Sequence, residues 1–206
     1  MKPRKKTEAS GVRVVARAAL PTRYGRFTVL GVEDAKTGDS ALVLERGATH
    51  NGHVPLVRIH SQCLTGDVLG SKRCDCRAQL EMALEQIGRA RSGLLLYLPQ
   101  EGRGIGLLNK LRAYELQDRG LDTVEANRQL GFDADLRDYG FPARVLRKLG
   151  ARRIRLLSNN PDKVAQLEEG GIEVVKRVPC QPGSTRHSRR YLRTKRDKLG
   201  HLLAGI

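Results

Sequence analysis

The stretch from Gln79 to Asp118, QLEMALEQIGRARSGLLLYLPQEGRGIGLLNKLRAYELQD, decides how this chain folds. Leu80, Ala83, Leu84 and Ile87 recur at intervals of three and four, which places them on one face of a helix. Gly93 closes that pattern, and the run LLLYLP behind it has the length and apolar continuity of a buried strand. From Gly106 to Asp118 the helical interval returns, with Leu107, Leu111 and Tyr114 on one side. Helix, short loop, buried strand, short loop and helix are the units of an α/β layer.

Upstream the rhythm is different. Between Val12 and Ile59 the segments RVVARAALP, RFTVLGVE, SALVLERG and HVPLVRIH are short apolar runs punctuated by Gly25, Gly38, Gly47 and Gly52, the pattern of consecutive strands. Downstream, Val145, Leu146 and Leu149 mark a helix stopped by Gly150. IRLLS reads as a strand. Asn160-Pro161 opens a helix with an N-cap and a proline at its first position. That helix ends at Gly170-Gly171, before the strand IEVVKRV. The expectation is a mixed α/β (α+β) fold, with a β-rich N-terminal part packed with an α/β layer of mixed sheet and helices. Residues 1–11 read as a disordered basic leader. Residues 12–206 read as one domain with a basic C-terminal segment, because no linker or repeat interrupts them.

The 206 residues carry a net charge of +16. Such an excess suggests a polyanionic partner. It gathers at Lys2, Arg4, Lys5 and Lys6, and again at Arg186, Arg189, Arg190, Arg193, Lys195, Arg196 and Lys198. With 4% aromatic residues and no Trp there is little from which to build a base-stacking surface. A nucleotide polyphosphate therefore ranks ahead of nucleic acid, and solvated faces account for most charge runs. No apolar run approaches a bilayer span, and no apolar segment follows the basic start as in a signal peptide. No membrane partner and a cytoplasmic location are expected.

Three of the four cysteines, Cys63, Cys74 and Cys76, fall within fourteen residues as C-x10-C-x-C. Clustered thiols suit a metal better than a disulfide framework. Three thiolates leave one tetrahedral position open, as a hydrolytic zinc needs if it is to hold and acidify water. A structural ion completed by His60 or Cys180, or thiols that are merely buried, fit the same spacing. Cys74 and Cys76 converge only if the chain is extended or turned ahead of the helix at Gln79.

Three further stretches could carry chemistry. PQEGRGIG, from Pro99 to Gly106, sits between a strand and a helix, where glycines and helix amides favour phosphate and Arg103 could grip it with two donors; it lacks the G-K-[ST] of a Walker loop. GFDADLRDYG, from Gly131 to Gly140, sets Asp133, Asp135, Arg137 and Asp138 close together, as a self-paired surface turn would too. SNNPDK, from Ser158 to Lys163, offers a hydroxyl, amides and an amine, although N-capping alone explains Asn160.

Taken together and in this order, VRIHSQCLTGD, KRCDCRAQL, LPQEGRGIGLLNKLRAYELQD, DTVEANRQLGFDADLRDYG and LLSNNPDKV resemble GTP cyclohydrolase II, the monofunctional enzymes that open the guanine ring of GTP at the start of riboflavin biosynthesis. The resemblance runs from about Leu20 to about Leu203. It implies that Cys63, Cys74 and Cys76 hold one zinc per chain. It also implies that Arg58, Ile59, His60, Ser61 and Gln62 lie along the nucleotide with Gln79, and that Glu101, Gly102 and Arg103 frame its guanine and phosphate sides. Thr123, Ser158 and Lys163 match further GTP contacts. Tyr114 matches a catalytic tyrosine, Asp135 a catalytic acid, and Arg137 the residue assigned as nucleophile on the α-phosphorus. Guanidinium stays protonated, so a role for Arg137 in stabilising phosphate charge stands beside that assignment. Magnesium on the triphosphate and a homodimer are implied as well. The implied products are formate, pyrophosphate and a phosphoribosylamino-pyrimidinone. Gln62 stands where the family more often has Glu, Ser158 where Thr is common, and Gly104 where Asn also occurs. The alternatives are a relative that releases the formamide without formate, and a non-catalytic nucleotide- or nucleic-acid-binding protein.

Overall fold

The computed structural model describes residues 11–49, 52–186 and 188–205; the basic stretch 1–10 of the expected leader lies outside the described residues. Seven strands form one sheet: β1 (Val12–Thr22), β2 (Gly25–Asp34), β3 (Ser40–Arg46), β4 (Leu56–Ser61), β5 (Gly93–Leu98), β6 (Arg153–Leu157) and β7 (Glu173–Val178), in the order β1-β2-β3-β5-β4-β6-β7. β1, β2, β3 and β5 pair antiparallel, and β5, β4, β6 and β7 pair parallel. The mixed α/β architecture matches the sequence reading. The β-rich start joins the α/β part edge to edge within one sheet, and HVPLVRIH supplies β4, the centre of the parallel half.

The helices are α1 (Leu64–Asp67), α2 (Cys76–Arg89), α3 (Leu107–Asp118), α4 (Thr123–Gln129), α5 (Gly140–Lys148), α6 (Pro161–Glu169) and α7 (Arg189–Leu199). One core lies between the sheet and α5 and α6, where Leu94, Leu96, Ile59 and Val57 meet Val145, Leu146 and Leu167. A smaller core lies on the opposite face, where Leu95, Leu56 and Phe27 meet Ala83 and Ile87 of α2. Because both faces of β5 are covered, its sequence is apolar without alternation.

One feature of the strands makes the site. β4 pairs with β5 along its whole length, but with β6 only at Leu56–Arg155 and Val57–Leu156. Beyond Val57 the two strands part. The carbonyls left unpaired in the gap are taken up by side chains: Arg58 Nη1 donates to Leu157 O at 3.0 Å, and Lys163 Nζ donates to Ile59 O at 2.9 Å. From this gap β4 leads on to β5 and β6 to β7, in opposite directions across the sheet. Such a switch point, at the carboxyl ends of parallel strands, is where open α/β sheets bind ligands.

Two local expectations are corrected. α2 starts at Cys76 rather than at Gln79, so Cys76 is its first residue and Cys74 sits in the turn before it. In α3 the interval of Leu107, Leu111 and Tyr114 does not mark the buried face: Lys110 and Ala113 are buried, whereas Leu108 and Leu111 are exposed. α3 turns its polar side inward because it covers a site rather than a core. No helix among the described residues is long and apolar enough to cross a membrane.

α2 approaches the β1–β2 hairpin at Gly88, where an added Cβ would collide with the Tyr24 carbonyl oxygen. A helix-interior Gly→Ala change usually stabilises by up to about 1 kcal/mol. Here the sign should reverse, with Gly88→Ala losing about 1–3 kcal/mol and some 2–10 °C of melting temperature. Thermal unfolding decides it, and an unchanged or raised melting temperature would show that α2 is not seated on the hairpin.

Candidate active site and metal centre

A cleft of about 1080 Å³ opens at the carboxyl ends of β4, β5 and β6. All the predicted site residues line it except Ile59 and Asp135. The Ile59 side chain is buried in the core, and only its carbonyl reaches the site, through Lys163. Asp135 stands beside the cleft and binds Arg137 through both carboxylate oxygens. Four arginines and three lysines line the cleft, and Glu101 is the one carboxylate among its lining residues. This lining suits the enclosure of a polyanion.

The sulfur atoms of Cys63, Cys74 and Cys76 lie within 4.8 Å of one another, and the Cys63 and Cys74 sulfurs are 3.7 Å apart. Thiolates about 2.3 Å from a tetrahedral ion stand about 3.8 Å apart, so the cluster fits such an ion. Its compactness depends on Gly66 in α1, where a Cβ would meet the sulfurs of Cys74 at 2.9 Å and Cys63 at 3.1 Å. Without metal, S–H donation from Cys74 and Cys76, together with the Lys110 charge, holds the Cys63 thiol far below its usual range. Cys74 is pushed up to about 11 and Cys76 is raised well above the usual thiol range, because each adjoins the Cys63 sulfur in a desolvated place. A divalent cation is the natural way to ionise all three, releasing protons as it binds.

Cys63 is held by a buried polar frame. Asp67 accepts from Cys63 N at 3.0 Å, from Tyr97 Oη at 2.9 Å and from His60 Nε2 at 3.1 Å. Burial lowers the His60 pKa, so this ring is neutral and is oriented by Asp67 and by stacking on Tyr97. The carboxylate of Glu101 accepts from Leu64 N at 2.7 Å and from Lys110 Nζ at 2.7 Å. Lys110 Nζ also reaches Cys63 Sγ at 3.1 Å and Thr65 Oγ1 at 2.8 Å. Thr65 in turn meets Tyr114 Oη at 3.2 Å. Burial raises the Tyr114 pKa, so the phenol is protonated at neutral pH.

On the cationic side the loop after β5 carries backbone strain. Arg103, φ 63°, is the only non-glycine among the described residues with positive φ, and it lies between Gly102 and Gly104. Such a conformation costs of order 1–3 kcal/mol and clusters at functional sites. Leu136 N donates to Arg103 O at 3.1 Å, tying this loop to the one that bears Asp135 and Arg137. Burial opposes the charge of Arg137, but Tyr139 and Asp135 outweigh it and raise its pKa. At Lys163 the balance is reversed: burial, then Arg58 and Arg137, outweigh the Asp135 carboxylate and hold its pKa well below the usual lysine range. Four buried polar atoms around the cleft, Arg58 Nε, His60 Nδ1, Arg103 Nη2 and Tyr139 Oη, have no hydrogen-bond partner among the described residues. Buried polar groups are rarely left so, and together they mark a place for a polar ligand.

The sequence model of the GTP cyclohydrolase II family matches residues 12–179. A GTP cyclohydrolase-2 of Shewanella oneidensis is 52% identical over 193 residues, covering 94% of this chain and 95% of that protein. The chain belongs to the GTP cyclohydrolase II family. A riboflavin biosynthesis protein of Vibrio vulnificus is 54% identical over 191 residues, which are 93% of this chain and 52% of that protein. The chain therefore spans about half the length of that longer relative and nearly the whole of the Shewanella protein. A solved two-domain 3,4-dihydroxy-2-butanone 4-phosphate synthase from A. baumannii is similar over 74% of this chain and 35% of that chain, with 22% identity and a TM-score of 0.44, a likeness too remote to bear on the fold.

Several lining residues escaped the sequence reading. Lys110 and Asn127 lie within the quoted stretches LPQEGRGIGLLNKLRAYELQD and DTVEANRQLGFDADLRDYG, but the sequence reading singles out neither; the signal for Lys110 is its place one helical turn before Tyr114. Tyr191, Lys195 and His201 belong to the basic C-terminal segment, which reads as a solvated charge run until α7 is seen to lie over the cleft.

The Gly66 geometry gives a direct test of the metal centre. Gly66→Ala should keep the fold but weaken metal retention about 10–100-fold, as for other disturbances just outside a ligand shell. Metal analysis after dialysis against a chelator measures it, and wild-type retention would mean that the thiols do not act together as ligands.

Proposed function

We propose that this protein is a zinc-dependent GTP cyclohydrolase II that opens the imidazole ring of GTP, releasing formate and pyrophosphate, as the first step of riboflavin biosynthesis. The observation that carries the reading is the three-thiol cluster at tetrahedral spacing, in one cleft with four arginines and three lysines. Family membership and the near full-length Shewanella relative support it.

Cys63, Cys74 and Cys76 would hold zinc, which when bound supplies Lewis acidity and brings the pKa of water near neutrality. The rest falls to residues of the chain. Tyr114, protonated and fixed by Thr65, is placed to give a proton to a nitrogen of the opening ring or the departing formyl group. Arg58, Gln79 and the segment from His60 to Gln62 line the nucleotide. Thr123, Ser158, Gly102 and Glu101 contribute further contacts, with Glu101 chiefly fixing Leu64 and Lys110. Arg103, Arg137 and Lys163 take the triphosphate, which arrives with magnesium. Because Asp135 holds Arg137 as a bidentate, firmly protonated guanidinium, Arg137 serves better to stabilise charge at the α-phosphate than to attack it, and Asp135 orients it. A homodimer in the cytoplasm completes the proposal.

Lys163 is disfavoured as a cation in the free protein, and burial with the Lys195 and Arg137 charges lowers His201 to about 3. A bound polyphosphate supplies the missing negative charge and raises both. Binding should therefore take up protons, and affinity should fall as pH rises, by up to about tenfold per pH unit for each proton taken up. Calorimetry with a non-hydrolysable GTP analogue in buffers of different ionisation heat measures this; a pH-independent affinity would remove the lysine from the phosphate site.

The activity itself is tested by incubating zinc-loaded protein with GTP and magnesium and quantifying formate, pyrophosphate and the pyrimidine. Equal formate and pyrophosphate are expected. Pyrophosphate alone would indicate the formamide-releasing reaction, and neither product would leave a nucleotide-binding protein. Tyr114→Phe should retain zinc and lose about 100-fold or more in formate release; an unchanged rate of formate release would exclude the phenol from the proton transfer.

A further inference from the structure

The C-terminal helix α7 lies beyond residues 12–179, the segment that the family's sequence model matches, yet it is built into the molecule at several points. Leu192 is buried, Lys198 pairs with Asp122 and Glu125 at the N-terminus of α4, and beyond the helix Leu202 N donates to Asn159 O at 2.8 Å. From this anchored helix Lys195 reaches inward. Its Nζ donates to Asp75 Oδ1 at 2.8 Å, with only 9% and 4% of the two side chains exposed.

Asp75 is the residue between Cys74 and Cys76 and the N-cap position of α2, although its side chain does not cap the helix. Its carboxylate is spent elsewhere: Oδ1 on Lys195 and Oδ2 on Gln79 Nε2 at 2.6 Å. Gln79 Oε1 then accepts from Arg58 Nη2 at 2.7 Å, and Arg58 is tied to the gap between β4 and β6. A chain of charged and polar contacts thus runs from α7 through the middle of the C-x-C segment to the centre of the sheet. Asp75 belongs to the segment that carries two ligands. An anchored partner on it sets where those two sulfurs sit relative to Cys63.

We propose that Lys195 is a positioning residue for the metal centre, holding the Cys74–Cys76 segment in place through Asp75, so that the C-terminal helix is part of the metal site. This rests on the zinc reading above. It does not require Lys195 to touch the ion, and it gives the basic C-terminal segment a role that a solvated charge run lacks. Breaking one side of a buried pair leaves an uncompensated charge, whereas removing both sides does not. The pair should therefore behave as a unit.

The test uses full-length protein: wild type, Lys195→Met, Lys195→Arg, Asp75→Asn and the double variant Lys195→Met with Asp75→Asn. Zinc affinity is measured by competition with a chromogenic chelator, and the ligand-field bands of the cobalt-loaded proteins report the geometry at the ion. Lys195→Met is expected to weaken zinc about 10–100-fold and to shift the cobalt bands. Lys195→Arg should recover most of the affinity, and the double variant should be no weaker than Lys195→Met alone. Asp75→Asn breaks the pair from the other side and serves if Lys195→Met does not fold. Wild-type affinity and unshifted bands in Lys195→Met, or additive losses in the double variant, would overturn the inference while leaving the zinc reading intact. A wild-type protein that takes up no zinc would instead overturn the zinc reading, and this inference with it.

Discussion

The parting of β4 from β6 after Val57 is the constraint on which the rest of the structure depends. Two parallel strands that separate inside a sheet leave carbonyls that a buried chain cannot leave unpaired. Arg58 and Lys163 fill that role, and in doing so they bring two cations into the floor of the cleft. Their charges repel each other, and at Lys163 burial with the Arg58 and Arg137 charges outweighs the pull of Asp135. The arrangement that closes the backbone accounts therefore leaves an electrostatic debt that an anionic ligand can settle. Fold and ligand preference follow from the same two side chains.

The three-thiol cluster is held by a second set of constraints that interlock with the first. Asp67 fixes Cys63 through its backbone, Glu101 fixes Leu64 and Lys110, and Gly66 gives the sulfurs room to converge. Lys110 joins this frame to the reacting side of the cleft, touching Cys63, Thr65 and Glu101 at once. Burial disfavours the charge of both lysines, but their neighbours decide the outcome differently. Lys110, beside Glu101 and the Cys63 sulfur, is stabilised as a cation, whereas Lys163, beside Arg58 and Arg137, is not. Two residues of one type are thus set for different work by their neighbours alone.

Much of this was legible in the residues. The apolar run of β5 and the period of α2 follow from burial on both faces of a strand and one face of a helix, so both could be read from spacing. The Asn160-Pro161 start of α6 is local chemistry and was equally plain. What escaped was wherever the site overrode the core. Leu108 and Leu111 of α3 point outward while Lys110 and Ala113 are buried, and a rule that places apolar residues inside misreads such a helix. The edge-to-edge union of the antiparallel and parallel strands was also hidden, since strand order depends on pairings that local pattern does not contain. The fourteen-residue spacing of the cysteines announced a metal, but the turn and helix start that bring Cys74 and Cys76 together depend on Asp75 and on partners far along the chain.

The strained loop at Arg103 brings these threads to one point. A left-handed arginine between two glycines is unfavourable by itself, and it persists because Leu136 bonds its carbonyl on one side and the Tyr191 ring lies 5.7 Å from its guanidinium on the other. Leu136 belongs to the loop of Asp135 and Arg137, and Tyr191 to α7. The conformation that aims Arg103 into the cleft is therefore maintained jointly by the loop that holds Arg137 and by the C-terminal helix that holds Asp75. One guanidinium nitrogen, Nη2, is buried there without a partner among the described residues. Backbone strain and an unsatisfied donor are both costs in the free protein, and a bound phosphate group would satisfy the donor where it already points. The cleft is thus pre-organised for an anion by elements from distant parts of the chain, so the motif PQEGRGIG hints at a phosphate but not at the contacts that hold Arg103.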